Sequence, residues 1–393
     1  MKKIISVLLA AVLCFSFTVN VFALGLLQPK RGDANLDGRI TASDARLILR
    51  ASVGLLTPSI FVKAFYDADD DGKISASDAR KALRISVGLE SYIKGEKTDA
   101  MIEALADKVS EKELKGLMKS LCKNGTRSIF NPKNNNAAKD FIVSELKSYG
   151  YKVNTHLFTY NYAQTSNVIT VYNKMDKNAE ILLLTTHYDC WDGGEGAVDN
   201  ASGVAALLHI AKIIKKQGLE FNKEIRIAFF SAEEMGYFGA YDYLSTLTQS
   251  EKQRLTVFNI DMAGHSELSV KKYLTVSTEP VSSDYPHKKA EANEVSLAIE
   301  KAKKSLGNLG EDGFYSPVAA GKHDIVPFRK AGIPAATISW REIDPTNSGG
   351  SDYNLSAPLQ IHTVLDTFEN FDMNSLTATT RLILSAIYIQ YAE

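Results

Sequence analysis

The side chains best able to do chemistry in this chain lie where apolar runs stop. AEILLLTTHYDC ends on His187 and Asp189, and GAVDNASG places Asp199 just ahead of a helix-like stretch. EIRIAFFSAEEMG ends on Glu233 and Glu234, RLTVFNIDMAG on Asp261, and IHTVLDT supplies His362. Each has an ordinary reading when taken alone. An Asp before a helix serves as an N-cap, acidic residues at a helix start answer its macrodipole, and a single His is commonly structural. Taken together, the segments offer two imidazoles and three carboxylates as ligands, with a further carboxylate beside them. That is the nitrogen and oxygen donor set zinc accepts. Zinc held by such a set polarises a carbonyl and acidifies a bound water. A neighbouring carboxylate can then take the proton.

A second set of oxygen donors lies near the N-terminus, in a repeat. GDANLDGRITASDARLILRASVGL starts at Gly32, and YDADDDGKISASDARKALRISVGL starts at Tyr66. Loop positions one, three, five and twelve carry Asp33, Asn35, Asp37 and Asp44 in the first copy, and Asp67, Asp69, Asp71 and Asp78 in the second. Gly38 and Gly72 stand at position six, where the loop turns sharply. Arg39 and Lys73 stand at position seven, which needs only a backbone carbonyl. Thr41 and Ser75 stand at position nine, where a side chain or a water completes the shell. Hard oxygen ligands in this order suit calcium, one ion per loop. A pair of acidic turns is the plainer alternative, but two loops in register, each leading into an amphipathic helix, favour the ion.

Several elements must position these groups. NVITVYN, AEILLLTTH, EIRIAFFS, RLTVFNID and PAATISW read as strands, and some are nearly continuous apolar runs, as strands covered on both faces are. EKELKGLMKSL, AAKDFIVSELKSYG and GVAALLHIAKIIKK read as helices. The fold class expected is α/β, a mixed, mostly parallel sheet flanked by helices, preceded by a small all-α module with paired calcium loops. Ligands collect at the carboxyl ends of strands in such sheets, so the acidic strand ends converge on one crevice. The expected organisation is 1–23 signal peptide, 32–90 calcium-loop module, 91–103 linker and 104–393 large domain. Lys2 and Lys3, the apolar run after them and Val21-Phe22-Ala23 mark a secretory signal cleaved after Ala23, so the chain is expected to be secreted. No later stretch reads as a transmembrane anchor. A formal net charge of −1 gives no basic excess for nucleic acid. Cys122 and Cys190 are too few for a disulfide framework, and their pairing stays open.

The repeat resembles a dockerin, the module that docks on a cohesin domain of a cellulosome scaffold, with Asp in place of Glu at position twelve. The resemblance covers residues 32–90. It implies cohesin contacts at Ala42, Ser43, Ala76 and Ser77, with Arg46, Arg50, Arg80 and Arg84 on the following helices. The segments THYD, GAVDNASG, SAEEMG, NIDMAG and IHTVLDT resemble the M28 peptidases, mostly co-catalytic zinc aminopeptidases, over about residues 104–393. That resemblance implies a zinc-exopeptidase fold, two zinc ions and peptide substrates. It also implies that His187 and Asp261 hold one ion, that Glu234 and His362 hold the other, and that Asp199 bridges them across a cis Asp199–Asn200 peptide. Glu233 would be the general base, and Asp189 would orient His187. The family's usual Ser-Asp-His is replaced by KHDIVPF, where Asp324 fits but His323 and Ile325 do not. The tyrosine that stabilises the oxyanion is expected near here, with Tyr315 the candidate and Tyr353 a second. A glutaminyl cyclase with one zinc, and a non-catalytic binding module on the same fold, are the competing readings. The repeat yields a test: changing Ala42 and Ser43 to bulky residues should leave cohesin binding in pull-down nearly intact, while changing Ala76 and Ser77 as well should abolish it.

Overall fold

The computed structural model describes residues 30–392, apart from 36, 38, 59–62, 93–98, 270–271, 280–292, 307–313, 320–321, 344–354 and 357–359. The expected signal peptide, Gly38 and Tyr353 lie outside the described residues. Two compact units emerge. One carries the described residues up to Leu105, and the other is formed by Ala106–Lys216 and Phe221–Tyr391. A helix, Asp99–Ala106, runs through the last residues of the stretch read as a linker.

The first unit is built on two equivalent helices, Ala42–Ser52 and Ala76–Ser86. Thr41 and Ser75 cap them, and Asp44 and Asp78 close reciprocal capping boxes. The core is small: Ala34, Ala45, Ile48, Tyr66, Ala79 and Ala82. So little apolar area gives the unit a weak core of its own.

The second unit is organised by a nine-stranded sheet. Its strands are β1 (Val153–Tyr160), β2 (Ala163–Val171), β3 (Ile181–His187), β4 (Glu224–Phe230), β5 (Leu255–Ile260), β6 (Lys272–Glu279), β7 (Phe314–Ala319), β8 (Ala335–Ile343) and β9 (Leu355–Ser356). The order is β1-β2-β4-β3-β5-β8-β6-β7, with β9 beside β8. The central four, β4-β3-β5-β8, are mutually parallel, and antiparallel pairing enters toward the edges. Every residue of β3 and β5 is buried, which accounts for their largely apolar sequences. Because the central strands run the same way, His187, Glu233 and Asp261 leave the sheet along one edge. By length and composition Ala197–Gln217 could cross a bilayer, but 94% of that window is buried inside the protein. It is a core helix.

His209, on the helix Ser202–Gln217, shows how tightly this core is drawn. Its Nε2 accepts the backbone N–H of Ser110 at 2.9 Å, and Ser110 caps the helix Glu111–Cys122. Burial holds the imidazole down at about 4, against the weaker upward pull of Glu113. The unfolded chain takes this proton near pH 6.5, so below that pH the unfolded state binds more protons than the native one. Stability should therefore fall as pH drops from about 6.5 to about 4, by at most roughly 1.4 kcal/mol per pH unit. His209→Gln keeps an acceptor and cannot protonate. Urea midpoints at pH 7 and pH 5 should differ less for that variant than for the parent.

Candidate metal centre

The His187 ring, at the end of β3, is the first organising group. Its Nε2 lies 3.2 Å from Asp199 Oδ1 and 3.3 Å from Asp261 Oδ1. The other oxygen of Asp199, Oδ2, lies 3.3 Å from His362 Nε2, which in turn sits 3.0 Å from Glu234 Oε2. One carboxylate therefore faces two separate donor groups, one with each oxygen. Ligands on a tetrahedral zinc at about 2.0–2.1 Å are separated by roughly 3.3 Å, and these donors have that spacing. Asp199 Oδ1 is also buried without a hydrogen-bond partner, as an oxygen shaped for a cation would be. The donor set and its spacing fit a pair of zinc ions.

The adjacent glutamates diverge. Glu233 offers its oxygen to the group containing His187 and Asp261, and Glu234 to the group containing Asp199 and His362; in each group the donor atoms fall within 4.8 Å of one another. The electrostatics are those of crowded carboxylates. Burial pushes Glu233 well above the usual range, with Asp324, Glu234 and Asp261 adding to it against the pull of His187. Burial likewise raises Asp324 far above its ordinary value, and Glu234 to about 7. Hydrogen bonding to Asp199 and Glu234 lifts His362 to about 10. Bound cations would reverse this logic for the carboxylates.

The scaffold around these groups is extensive. Asp189 lies behind His187, its carbonyl 3.2 Å and its Oδ1 3.5 Å from Nδ1. Its carboxylate also accepts the backbone N–H groups of Glu233 and Glu234, at 3.2 and 3.4 Å. The peptide between Asp199 and Asn200 is cis. Asn200 donates to Thr186 Oγ1 and to the Ile260 carbonyl, and accepts from the N–H groups of Gly203 and Met262. It thereby ties the ends of β3 and β5 to the start of a helix. A Cβ on Gly203 would meet Asn200 Oδ1 at 2.4 Å and Thr186 Oγ1 at 2.5 Å, so only glycine fits there. Three non-glycine residues adopt left-handed backbone at the centre: Ala232, Met262 and His362. Such outliers gather at functional sites.

Sequence reasoning overlooked several supporting residues. Asp366, inside the IHTVLDT segment, accepts the N–H groups of Val198 and Asp199 at 2.7 and 3.2 Å. Trp191 donates its backbone N–H to Glu234 Oε1 at 2.9 Å, leaving Oε2 toward His362, and its ring stacks on His362 at 5.1 Å. Buried Arg127 donates to the carbonyls of Tyr188, Glu195 and Gly196 and so braces the loop between His187 and Asp199. Their types carry no metal signal; position within a quoted segment was the one clue, and only for Asp366. Tyr315 lies on β7, paired with Thr275 at the sheet edge. Cys122 and Cys190 are buried free thiols.

In the first unit, the carboxylates of Asp67, Asp69 and Asp71 converge within 4.8 Å. Asp44 and Asp78 are fully buried and accept the N–H groups of Asn35 and Thr41, and of Asp69 and Ser75, respectively. The hydroxyls of Thr41 and Ser75 turn to these aspartates. The two loops are not identical: the Ser77 hydroxyl donates to Asp69 Oδ2 at 2.9 Å, whereas Asn35 occupies the matching position of the first loop and turns its amide to Asp37. Apolar side chains repeat at the C-terminal ends of both helices and just beyond them and stay exposed, Leu49, Val53 and Leu55 in one copy and Leu83, Val87 and Leu89 in the other. Ala42, Ser43 and Ala76 are exposed, and Ser77 is half-buried.

The sequence pattern of peptidase family M28 matches residues 167–387, and that of the type I dockerin domain matches residues 31–81. The chain belongs to peptidase family M28. Aminopeptidase YwaD of Bacillus subtilis is 31% identical over 228 residues, which are 57% of this chain and 45% of YwaD. The chain thus spans less than half the length of that relative. The crystal structure of the Legionella pneumophila LapA aminopeptidase matches with a TM-score of 0.58 at 19% identity, covering 81% of this chain and 82% of LapA. A Bacteroides thetaiotaomicron glutaminyl cyclase matches with a TM-score of 0.55 at 22% identity, covering 71% of this chain and 98% of the cyclase. The M28 fold therefore does not by itself choose between hydrolysis and cyclisation. The M28 domain is preceded by a type I dockerin, whose carboxylates crowd around a small core. Calcium should be needed to hold that unit together. Chelating calcium should unfold it while the M28 domain stays folded. Limited proteolysis of the full chain, with and without chelator, should show cleavage confined to residues 32–90.

Proposed function

We propose that the chain is a secreted di-zinc aminopeptidase that releases N-terminal residues from peptides and is anchored to a cohesin-bearing scaffold through its dockerin. The observation that carries this reading is Asp199, whose two oxygens face two separate nitrogen and oxygen donor groups. A one-zinc cyclase has no need of the His187–Asp261 pair as ligands. His187, Asp199 and Asp261 would hold one ion, and Asp199, Glu234 and His362 the other. The ions supply a polarised carbonyl and an acidified water.

The chain's own residues do the rest. Glu233 takes the proton of the attacking water and passes it to the leaving amine. Asp189 orients His187 and fixes the backbone of both glutamates. Asp366 and Asn200 hold Asp199 between the two groups. The described walls of the cleft include Met262, Ile361, Lys322 and Arg341, around about 280 Å³. That volume is at the small end for a ligand site and suits a chain end better than a long segment. The dockerin loops would each hold one calcium ion, with Ala42, Ser43, Ala76 and Ser77 at the cohesin contact. Secretion rests on the N-terminal pattern ending at Ala23.

The adjacent glutamates provide the test. Glu233→Gln should keep two zinc ions by elemental analysis, while turnover of aminoacyl amides falls by roughly 10²–10⁴-fold. Glu234→Gln should lose one ion and regain activity as zinc is added, because a neutral amide is a poor zinc ligand. A parent protein holding one zinc per chain, or a Glu233→Gln variant as active as the parent, would overturn the reading.

A further inference from the structure

Behind Asp261, on the side away from His187, a second line of side chains reaches the centre. His323 precedes the helix Ile325–Lys330, and Arg341 lies on β8. They are 2% and 4% exposed. This is the place where KHDIVPF departs from the family pattern, so His323 calls for its own explanation. Arg341 Nη2 is hydrogen-bonded to His323 Nε2, and His323 Nδ1 lies 2.5 Å from Asp261 Oδ2.

Donor chemistry fixes the proton. A guanidinium has five N–H donors, no acceptor, and stays protonated. His323 Nε2 must therefore accept, and the ring proton must sit on Nδ1, pointing at Asp261. A doubly protonated ring would set N–H against N–H. Oδ2 of Asp261 is then occupied, and Oδ1, 3.3 Å from His187 Nε2, is the oxygen left over.

We propose that Arg341 and His323 are positioning residues that lock Asp261 into offering a single oxygen to the zinc shared with His187, and that draw charge away from it. The proposal rests on the di-zinc reading. The usual support for a metal site is a carboxylate behind a histidine, which pushes charge toward the ion. Asp189 behind His187 has that form. The Arg341–His323 pair works in the opposite sense through Asp261, so the ion would be pushed from one side and pulled from the other. With zinc bound, such a site would polarise a carbonyl more strongly than one with two carboxylate-backed ligands.

The test combines zinc affinity with a readout that needs neither metal nor activity. Zinc titrations against a competing chelator would compare the parent with His323→Ala, His323→Asn and Arg341→Met, with thermal melting to confirm folding. In His323→Ala the loss of a fixed Asp261 orientation should outweigh the charge returned to its carboxylate, so one of the two sites should weaken by 10–100-fold. His323→Asn, whose Nδ2–H stands close to the place of Nδ1–H, should recover most of that loss. ¹⁵N-imidazole spectra of the metal-free parent should show His323 protonated on Nδ1, and Arg341→Met should let both tautomers appear. Parent-like affinity at both sites in His323→Ala, or an Nε2–H tautomer in a parent that binds two zinc ions, would overturn the relay alone. If His323→Ala does not fold, the asparagine variant and the parent spectrum decide the matter: weak zinc binding by a folded His323→Asn, or the wrong tautomer, counts against the relay. A parent that takes up no zinc would overturn the proposed function and the relay with it.

Discussion

Like charges held close together in a dry place govern this structure. Asp199, Glu233, Glu234, Asp261 and Asp324 share one buried crevice, where ionised carboxylates lose their hydration and repel one another. Proteins tolerate this when cations, fixed dipoles or protons answer the charge. Here the two imidazoles answer it in part, the backbone N–H groups aimed at Asp189 and Asp366 answer it behind the front row, and the donor spacing leaves room for metal ions to answer the rest. The crevice is expensive to build, and its surroundings are correspondingly over-determined.

That over-determination is concentrated in a few residues. Asn200 makes four hydrogen bonds linking the ends of β3 and β5 to the helix that follows. Gly203 lets the chain pass close enough for those bonds to form. Arg127 braces the intervening loop through three carbonyls. None of these touches a reacting atom. They turn a parallel sheet edge, which any α/β protein has, into a set of donors spaced at tenths of an ångström, and catalytic constellations require that tolerance.

The fold was readable where burial on both faces wrote itself into composition. β3, β4, β5 and the helix Ser202–Gln217 are apolar runs with few interruptions. β1 escaped notice because most of its residues are exposed or half-exposed and polar. β6 and β7 pair with each other and with β8 only in three dimensions, and carry no run of comparable strength. The residues gathered around Asp199 could be picked out as charges at strand ends, since strand direction alone places them on one edge. Arg341 could not: within TISWREI it reads as an ordinary polar position of an alternating strand, and only the fold turns it inward against His323. The hydroxyls of Thr41 and Ser75 gave a similar lesson. Loop numbering made them candidates to complete a calcium shell, directly or through a water, and could not show that they also cap the helices that follow.

The chain has two tryptophans, and one of them, Trp191, borders the candidate metal centre. Trp340 lies one residue from Arg341 with its indole N–H on Thr379, while Trp191 is partly exposed and stacks at 18° on the ring of His362. A protonated imidazole in that position quenches indole emission; the same imidazole, once it gives its lone pair to a metal, must first have shed the proton. Trp191 would thus serve as an intrinsic optical gauge of whether His362 carries a proton or a ligand bond, read as a change against the steady emission of Trp340.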